Sequence, residues 1–397
     1  MQAIAVHNTK ILRISQVLHS LAFTVPIWIV FFQTHLTVQE ISLLVAFGYA
    51  VQVLTELPTG AIADMFGKKT TIGLGHLLGA LAFSAFPFAT TFTHFLLLSM
   101  LVGISDSLFS GANEAMLYDS LKQDKKEDSY TRVQADIGFW YQIGLCTATL
   151  LGGFLFRMLP GLPYFMYGLV LLCGFVVATR FKEPLVDSEV FTLKNYLRQI
   201  KYGTLEAFKN SHTQLISLYF VAVGGITWTL ALYFNSYMFV ALGFGDEARG
   251  VIEAVLRLFN IFVLTKVLKN QKLFTQKRTV LFFPLLMMFS MLPGVLLSGW
   301  YGIPFIAAGM MSSTARWIIL GKYTNQAFTS KYRATAISTL SMLIGIIFII
   351  ITGISGPIIA ATSVKTMYTL LGLLTIVTVV PLAKMLIKRG KNGAIFA

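Results

Sequence analysis

The stretch Gly60-Ala-Ile-Ala-Asp64-Met-Phe-Gly67-Lys68-Lys69 lies between two long apolar segments and combines two glycines, one acid and two bases. Glycine permits a sharp turn and the close approach of another backbone. An ordinary polar loop needs neither these glycines nor a carboxylate at a fixed spacing from a pair of cations. The stretch therefore predicts a specialised turn between two helices.

The composition of the whole chain is strongly apolar. Apolar residues make up 56% of the 397 positions and charged residues only 12%, with a mean hydropathy of +0.73. Soluble domains usually carry about 25% charged residues. The net charge of +14 does not indicate a nucleic-acid partner, because the bases recur in short clusters rather than in one patch. The two cysteines, Cys146 and Cys173, fall inside apolar segments and predict neither a disulfide framework nor a metal site.

Long apolar runs recur along the chain at a length that fits a bilayer. A helix needs about 20 mostly apolar residues to cross one. The first run follows Lys10 and Arg13 and has no small-residue cleavage site, so we interpret it as a retained span and not as a signal peptide. The predicted spans are 12–33, 38–62, 70–91, 94–120, 130–157, 162–181, 212–242, 247–269, 278–298, 301–322, 333–360 and 364–388.

The basic residues predict the orientation of these spans. Of the 31 lysines and arginines, 26 lie at the two termini or in the loops that follow even-numbered spans. The opposite side has only Arg157, Arg249 and Lys365, and Arg257 and Arg316 fall within spans. By the positive-inside rule, both termini are predicted to be cytoplasmic.

One long polar segment, 182–210, separates the first six spans from the last six. Its bases alternate with apolar residues at a spacing that predicts an amphipathic helix on the cytoplasmic membrane surface. The predicted fold is all-α and membrane-integral, with twelve transmembrane helices in two six-helix bundles, 1–181 and 211–397. Transporters built in this way hold their site between the halves.

The opening stretch resembles the signature loop G-x-x-x-D-x-x-G-[RK]-[RK] between helices 2 and 3 of the major facilitator superfamily of secondary transporters. Further stretches, in the expected order, are similar to bacterial drug-exporter-like members of that family. They are Glu56-Leu-Pro58-Thr-Gly60, Ser110-Gly-Ala-Asn-Glu114-Ala-Met-Leu-Tyr118-Asp119-Ser-Leu121, and Asn325 followed by Arg333-Ala-Thr-Ala-Ile-Ser338.

The chain also departs from the family pattern. Met65 stands where the signature loop usually has Arg, and the equivalent loop of the second half, 266–278, lacks the glycines and the acid. Span 5 contains Gly144-Leu-Cys-Thr-Ala148-Thr149-Leu-Leu-Gly152-Gly153, which resembles the antiporter motif G-x-x-x-G-P-x-x-G-G with its Gly-Pro replaced. Small residues still allow close helix contact, but the proline that bends the helix is absent. The motif therefore matches the export pattern only in part.

The resemblance implies a cytoplasmic gate at the signature loop. Asp64 is expected to face the start of span 11 near Arg333, where a helix N-terminus favours an anion. Lys68 is expected to pair with Asp119. Gly60, Gly67 and Lys69 complete the gating motif. The alternative is that Lys68 and Lys69 serve only membrane topology.

Ionisable residues inside spans are the candidates for binding and coupling, because a central charge costs roughly 2.5–3.5 kcal/mol to insert. Asp106 lies near the middle of span 4, which lines the central cavity in this family. It is a candidate proton or cation site, and its alternative is a neutral, hydrogen-bonded Asp. Asn113, two helical turns on, shares its face, whereas Glu114 is offset by about 80° and is interpreted as structural or gating.

The second half adds three groups of candidates. Glu253 and Arg257 have i, i+4 spacing on span 8 and form either a coupling pair or a static one. Arg316 in span 10 is a candidate for holding an anionic group or an acid of the first half. Span 7 carries Trp228, Tyr233 and Asn235, a wall that suits amphiphilic substrates as well as ordinary packing.

Several functions are compatible with the sequence. The leading hypothesis is a monomeric, proton-coupled secondary transporter of the inner (plasma) membrane that exports hydrophobic or amphiphilic small molecules by alternating access. No P-loop supports direct ATP drive, and no cofactor or metal is predicted. Proton-coupled uptake of a small nutrient is the first alternative, and a transport-inactive sensor of the same fold is a remote one. An enzyme is not predicted, because the six histidines are scattered and form no reactive cluster.

Overall fold

The computed structural model describes residues 3–185, 193–268, 275–329 and 333–391. Helices joined by short turns make up most of these ranges. The α-helices are α1 Ile4–Ser20, α2 Trp28–Gln33, α3 Val38–Phe66, α4 Lys68–Ala85, α5 Phe92–Gln123, α6 Tyr130–Met158, α7 Leu162–Ala178, α8 Leu193–Ala207, α9 Ser211–Thr229, α10 Asn235–Ala241, α11 Asp246–Leu268, α12 Gln276–Met291, α13 Ile303–Ala315, α14 Gly321–Ala327, α15 Arg333–Ala361 and α16 Val364–Lys391.

Eight helical segments within the described ranges are long and apolar enough to cross a bilayer. They lie in α3, α4, α5, α6, α9 with α10, α12, α15 and α16, and the apolar helix α7 is shorter. The prediction of an all-helical, multi-span chain is confirmed. The count of twelve spans and the orientation of the termini stay predictions.

The first predicted span, 12–33, is wrong as a single helix. The structure has α1 from Ile4 to Ser20 and α2 from Trp28 to Gln33, with an interruption between them. Pro26 lies in that interruption, and proline cannot donate a backbone hydrogen bond to continue a helix. The predicted span 301–322 is helical without a break from Ile303, because α13 continues through a π-helical segment, Arg316–Leu320, into α14.

Large apolar side chains cover the outside of the helices. Leu97 on α5 is 51% exposed and Val377 on α16 is 72% exposed. Soluble monomers rarely expose wide apolar surfaces, whereas lipid tails are as apolar as leucine. With the long apolar helices, this surface identifies a multi-pass membrane protein.

The chain forms two compact units. Unit 1 comprises Met1–Tyr196 and Asp246–Ala254, and unit 2 comprises Leu197–Gly245 and Val255–Ala397. In unit 1, α5 packs against α3 and α4, and α1 packs against α5, α6 and α7. In unit 2, α9 packs against α15 and α16, and α12 packs against α13 and α16.

A buried asparagine ties the first helix of unit 1 to later ones. Asn8 donates from Nδ2 to Ser120 Oγ at 2.8 Å and to Lys182 O at 2.7 Å, and its Oδ1 accepts from Lys182 N at 3.0 Å. Buried polar networks whose members are satisfied fix a unique packing. This contact therefore sets the position of α1 against α5 and the segment after α7.

The predicted amphipathic helix of the 182–210 segment is present as α8, and its C-terminal half packs within unit 2. Gly203 lies so close to α15 that a Cβ there would be 2.6 Å from Thr335 O. Glu206 is buried and its Oε1 accepts from Lys209 Nζ at 2.7 Å and from Thr329 N at 2.6 Å. The end of α8 is thereby fixed to the segment that precedes α15.

We expect Glu206 to make stability depend on acid pH. Burial opposes its ionisation, but the hydrogen bonds from Lys209 and Thr329 outweigh burial and lower the pKa of Glu206 from 4.5. A lowered pKa stabilises the fold above the unfolded value, and that contribution is lost as pH falls through the folded value. In thermal unfolding below pH 4.5, the wild type should therefore lose stability more steeply than Glu206→Gln. The exposed Glu127→Gln is the matched control, and equal slopes for Glu206→Gln and wild type would refute the assignment.

Candidate functional site

A polar cavity lies between α1, α5 and α6 in unit 1. Its volume is about 220 Å³. We call it the unit 1 cavity and define it by its polar lining residues, Gln16, His19, Ser110, Asn113, Glu114, Gln134 and Tyr141. Two of these, Asn113 and Glu114, are among the predicted site residues. Gln134 and Tyr141 on α6 were not predicted as site residues. A polar residue in a helix with many polar positions does not by itself indicate a cavity.

One wall of the unit 1 cavity is aromatic. The rings of His19 and Phe109 are stacked with their centroids 3.9 Å apart and their planes at 15°. His76 meets Phe109 edge-on at 4.7 Å and shares a 2.8 Å hydrogen bond with Ser15 Oγ. The stacked pair forms an aromatic part of the cavity wall, which suits an apolar group of a ligand.

Asn113 gives the unit 1 cavity a buried acceptor. Its Nδ2 donates to Phe109 O at 2.6 Å, and its Oδ1 accepts no hydrogen bond from the described residues. Leaving a buried acceptor unpaired costs about 1–3 kcal/mol. The position therefore favours a donor from water or from a ligand in the cavity.

Asp106 and Glu114, two of the three carboxylates of α5, occupy different surroundings. Glu114 is exposed and lines the unit 1 cavity, whereas Asp106 is partly exposed and is not among the residues that line it. Among the described residues, neither carboxylate has a cation within ion-pairing distance. The face predicted to be shared by Asp106 and Asn113 is thus not one continuous cavity wall.

The signature loop is a tight turn whose lysine is buried. Between α3 and α4, Gly67 adopts φ +85°, which favours glycine. Lys68 Nζ lies 2.9 Å from Asp119 Oδ2, with the two side chains only 9% and 12% exposed. This is the contact that the resemblance implies. The surroundings of Gly60 and of the Asp64 side chain lie outside the described part of the structure.

The other bases of the predicted gating motif are more exposed. Lys69 is half-buried, and Arg333 is exposed at the start of α15. The Arg333 guanidinium donates to Phe328 O at 3.5 Å, in the segment that leads into the same helix. Lys68 is thus the gating-motif base that is buried in an ion pair.

Glu183 caps the first turn of α4 beside Gly67. The sequence did not predict this role. Its carboxylate accepts from the backbone N–H of Lys68 at 2.7 Å and of Lys69 at 2.9 Å. These are N–H groups of the first turn of α4, which have no partner inside the helix and lie at the positive end of its dipole. A Cβ on Gly67 would lie 3.0 Å from Glu183 Cδ. The position therefore favours glycine for two reasons, its positive φ and the nearby Glu183 carboxylate.

Arg316 is fully buried in unit 2. It begins the π-helical segment Arg316–Leu320, and the guanidinium carbon lies 5.3 Å from the centroid of the Phe220 ring. A cation over an aromatic face is stabilised by the ring quadrupole. π-Helical segments are frequent at functional sites, and this one holds the candidate cation of span 10.

The predicted span 7 residues form part of a buried network in unit 2. A second π-helical segment, Leu230–Phe234, contains Tyr233, whose ring meets that of Tyr237 at 5.1 Å. Asn235 is buried, and its Oδ1 accepts from Tyr368 OH at 2.5 Å. Trp228 is half-buried. Tyr233 and Asn235 thus pack inside the unit, with Trp228 the more accessible of the three.

Helices α6 and α11 approach closely within unit 1. A Cβ on Gly153 would lie 2.9 Å from the carbonyl carbon of Asp246, and one on Gly250 would lie 2.6 Å from Thr149 O. Arg157 Nη1 pairs with Glu247 at 2.8 Å beside this contact. The half-matched antiporter motif of span 5 is therefore a site of close helix approach. On α11, Glu253 is buried and Arg257 is half-buried at the predicted spacing.

Comparisons with known proteins agree with this architecture. Residues 14–321 match the Major Facilitator Superfamily. The chain is 25% identical over 358 residues to the MFS-type transporter YxaM of Bacillus subtilis, covering 86% of each chain. It is 27% identical over 118 residues to an MFS-type transporter of Methanocaldococcus jannaschii, which is 29% of this chain and 28% of that one.

Solved structures show the same fold. The crystal structure of the nucleoside transporter NupG superimposes with a TM-score of 0.76 at 12% identity, covering 97% of this chain and 99% of that one. A point mutant of NupG gives a TM-score of 0.79 at 14% identity, with 95% and 99% covered. At such identities the likeness concerns the fold alone. The match over residues 14–321, on a multi-pass helical chain with the paired signature loop, shows that this protein is a transporter of the Major Facilitator Superfamily.

Proposed function

We propose that this transporter exports hydrophobic or amphiphilic small molecules across the inner (plasma) membrane in exchange for protons, by alternating access. The observation that carries the proposal is that two carboxylates of α5, Asp106 and Glu114, have no cation partner among the described residues, whereas Asp119 on the same helix pairs with Lys68. An ionised carboxylate inside a bilayer is costly unless it is paired, hydrated or protonated. Each is therefore suited to binding and releasing a proton.

The unit 1 cavity supports the substrate class. Its stacked His19–Phe109 wall offers apolar, planar contact, and Asn113 Oδ1 offers one buried acceptor. Ligand sites commonly combine an apolar lining with a few placed polar groups. An amphiphile with a donor group fits this combination.

The Lys68–Asp119 pair supports the switching mechanism. In our proposal the pair and the Glu183 cap hold the α3–α4 turn as a cytoplasmic latch when the transporter opens outward. The two side chains are only 9% and 12% exposed. If the turn moves away, each buried charge loses the attraction of its partner, which offsets the cost of removing it from water. Such a contact is suited to having two discrete states, closed and released.

Proton-coupled uptake of a small polar nutrient is the second candidate. Three side-chain amides, Gln16, Asn113 and Gln134, line the unit 1 cavity and are suited to hydrogen-bonding a polar solute. NupG, which shares the fold, is a nucleoside transporter. The amides favour this candidate, and the aromatic wall and the half-matched span 5 motif favour export.

The direction and coupling of transport test the two candidates together. Cells that express the wild type are expected to keep out a lipophilic fluorescent cation and to accumulate it when an uncoupler collapses the proton gradient. Uridine uptake, measured in the same cells, should not rise above that of cells without the protein. Gradient-dependent uridine uptake without cation export would reverse the assignment. Equal cation levels with and without the uncoupler would exclude proton-driven export of that cation.

A further inference from the structure

A second cavity of unit 1 lies away from the unit 1 cavity, at the end of the unit where α1 begins. Its volume is about 750 Å³, within the range of sites for organic ligands. We call it the N-terminal cavity. The start of α1, the end of α5, the start of α6 and the segment after α7 enclose it.

The polar side of the N-terminal cavity is basic. His7, Lys10, Arg13, Lys126 and Arg180 line it, and none of its described lining residues is acidic. Arg13 is neutralised by Asp136, with Nε 3.0 Å from Oδ2. Among the described residues, no carboxylate lies within ion-pairing distance of Lys10, Lys126 or Arg180. A carboxylate does lie nearby, since Asp124 accepts a hydrogen bond from the backbone N–H of the lining residue Ala5 at 2.8 Å, but three exposed cations around the cavity have no ion pair among the described residues.

The other side of the N-terminal cavity is apolar. Val6 and Ile14 on α1 line it and are 49% and 39% exposed, and Leu121 and Val133 complete the wall. Free anions such as phosphate gain nothing from exposed aliphatic side chains. An apolar wall beside a cationic rim instead matches a molecule that has an anionic head and an aliphatic tail.

We propose that the N-terminal cavity binds one anionic phospholipid, with the phosphate beside Lys10, Lys126 and Arg180 and an acyl chain along Val6 and Ile14. The basic residues lie at the end of the unit that is predicted to face the cytoplasm. Anionic lipids occupy that leaflet, and basic pockets between transmembrane helices bind their headgroups. The proposal goes beyond transport, because the site is separate from the unit 1 cavity.

Native mass spectrometry of the full chain in detergent tests the proposal. Wild-type protein is expected to bind dioleoyl phosphatidylglycerol in preference to dioleoyl phosphatidylcholine. Each neutralised base should weaken binding about fivefold. Phosphatidylglycerol should therefore bind about 100-fold more weakly to the triple variant Lys10→Gln, Lys126→Gln, Arg180→Gln. Lys122→Gln is the matched control, since Lys122 is exposed at the end of α5 but does not line the cavity.

Two further arms separate the lipid from a bare anion. The double variant Val6→Ser, Ile14→Ser keeps all charges and should weaken phosphatidylglycerol binding. Glycerol phosphate at the same concentration should not compete. Equal binding of the two lipids by wild type, full binding by the triple variant, or competition by glycerol phosphate would each overturn the proposal. The three single variants are measured in the same way, so that the result stands even if the triple variant does not fold.

Discussion

Replacement of Lys68 by Met is expected to lower the free energy of unfolding by about 3–5 kcal/mol, because it leaves the buried carboxylate of Asp119 without its cation. The two side chains are 9% and 12% exposed, so water cannot replace the lost partner fully. Methionine keeps most of the aliphatic stem, and the change is therefore chiefly one of charge. Unfolding in mixed detergent micelles, followed by tryptophan fluorescence, gives the measurement.

Lys69→Met is the matched control for this prediction. Lys69 is the next residue, is half-buried, and has no acid within ion-pairing distance among the described residues. Its backbone hydrogen bond to Glu183 survives the substitution. We expect a change within about 0.5 kcal/mol, as for ordinary surface substitutions. A comparable loss of unfolding free energy in both variants would mean that the Lys68–Asp119 ion pair is not the cause of the loss.

The double variant Lys68→Met, Asp119→Leu separates stability from gating. Apolar replacement of a buried ion pair is often neutral or stabilising, so most of the lost stability should return. If the pair is a latch that must open and close, the double variant should transport poorly even though its stability has returned. Stable protein with normal transport would assign the pair a structural role only.

Asp106→Asn is expected to abolish gradient-driven accumulation of substrate in proteoliposomes. A pH difference of one unit supplies about 1.4 kcal/mol per proton, enough for about tenfold accumulation. An amide cannot take up that proton, so the substrate should only equilibrate across the membrane. Exchange of labelled for unlabelled substrate, which needs no net proton movement, should persist. Glu114→Gln should reduce both accumulation and exchange, since Glu114 also lines the cavity that we propose for the substrate.

Asp128→Asn is the matched control for the carboxylate variants. Asp128 is exposed in the turn after α5 and has no ion pair among the described residues. Its neutralisation should leave both accumulation and exchange unchanged. Full accumulation by Asp106→Asn would remove Asp106 from the coupling mechanism. Loss of exchange together with accumulation would instead indicate a damaged binding site.

The sequence predicts those features of this fold that are carried by local pattern. Apolar runs of the right length locate the helices, and the glycine-bounded motif locates the α3–α4 turn. The pairing of Lys68 with Asp119 follows from the resemblance, because both residues belong to stretches shared with the family. The break in the first span had a local signal, Pro26, which the apolar length of 12–33 concealed.

Contacts between distant segments were beyond prediction from a single sequence. Glu183 reaches Lys68 across 115 residues from a short polar segment that looks like any other loop. The unit 1 cavity depends on which faces of α1, α5 and α6 meet, so Gln134 and Tyr141 could not be assigned to it. Asp106 and Asn113 show the same limit, because a shared helical face does not ensure a shared cavity.

The Asn8 contact has a consequence for how the protein is made. Asn8 lies near the start of the chain, and its partner Lys182 follows 174 residues later. At about 5–20 residues per second, roughly 10–35 s of synthesis separate them. During that interval the Asn8 amide lacks its two contacts with the Lys182 backbone, although another partner, Ser120, is made earlier. The final placement of α1 in unit 1 can therefore be completed only after the sixth predicted span has been made.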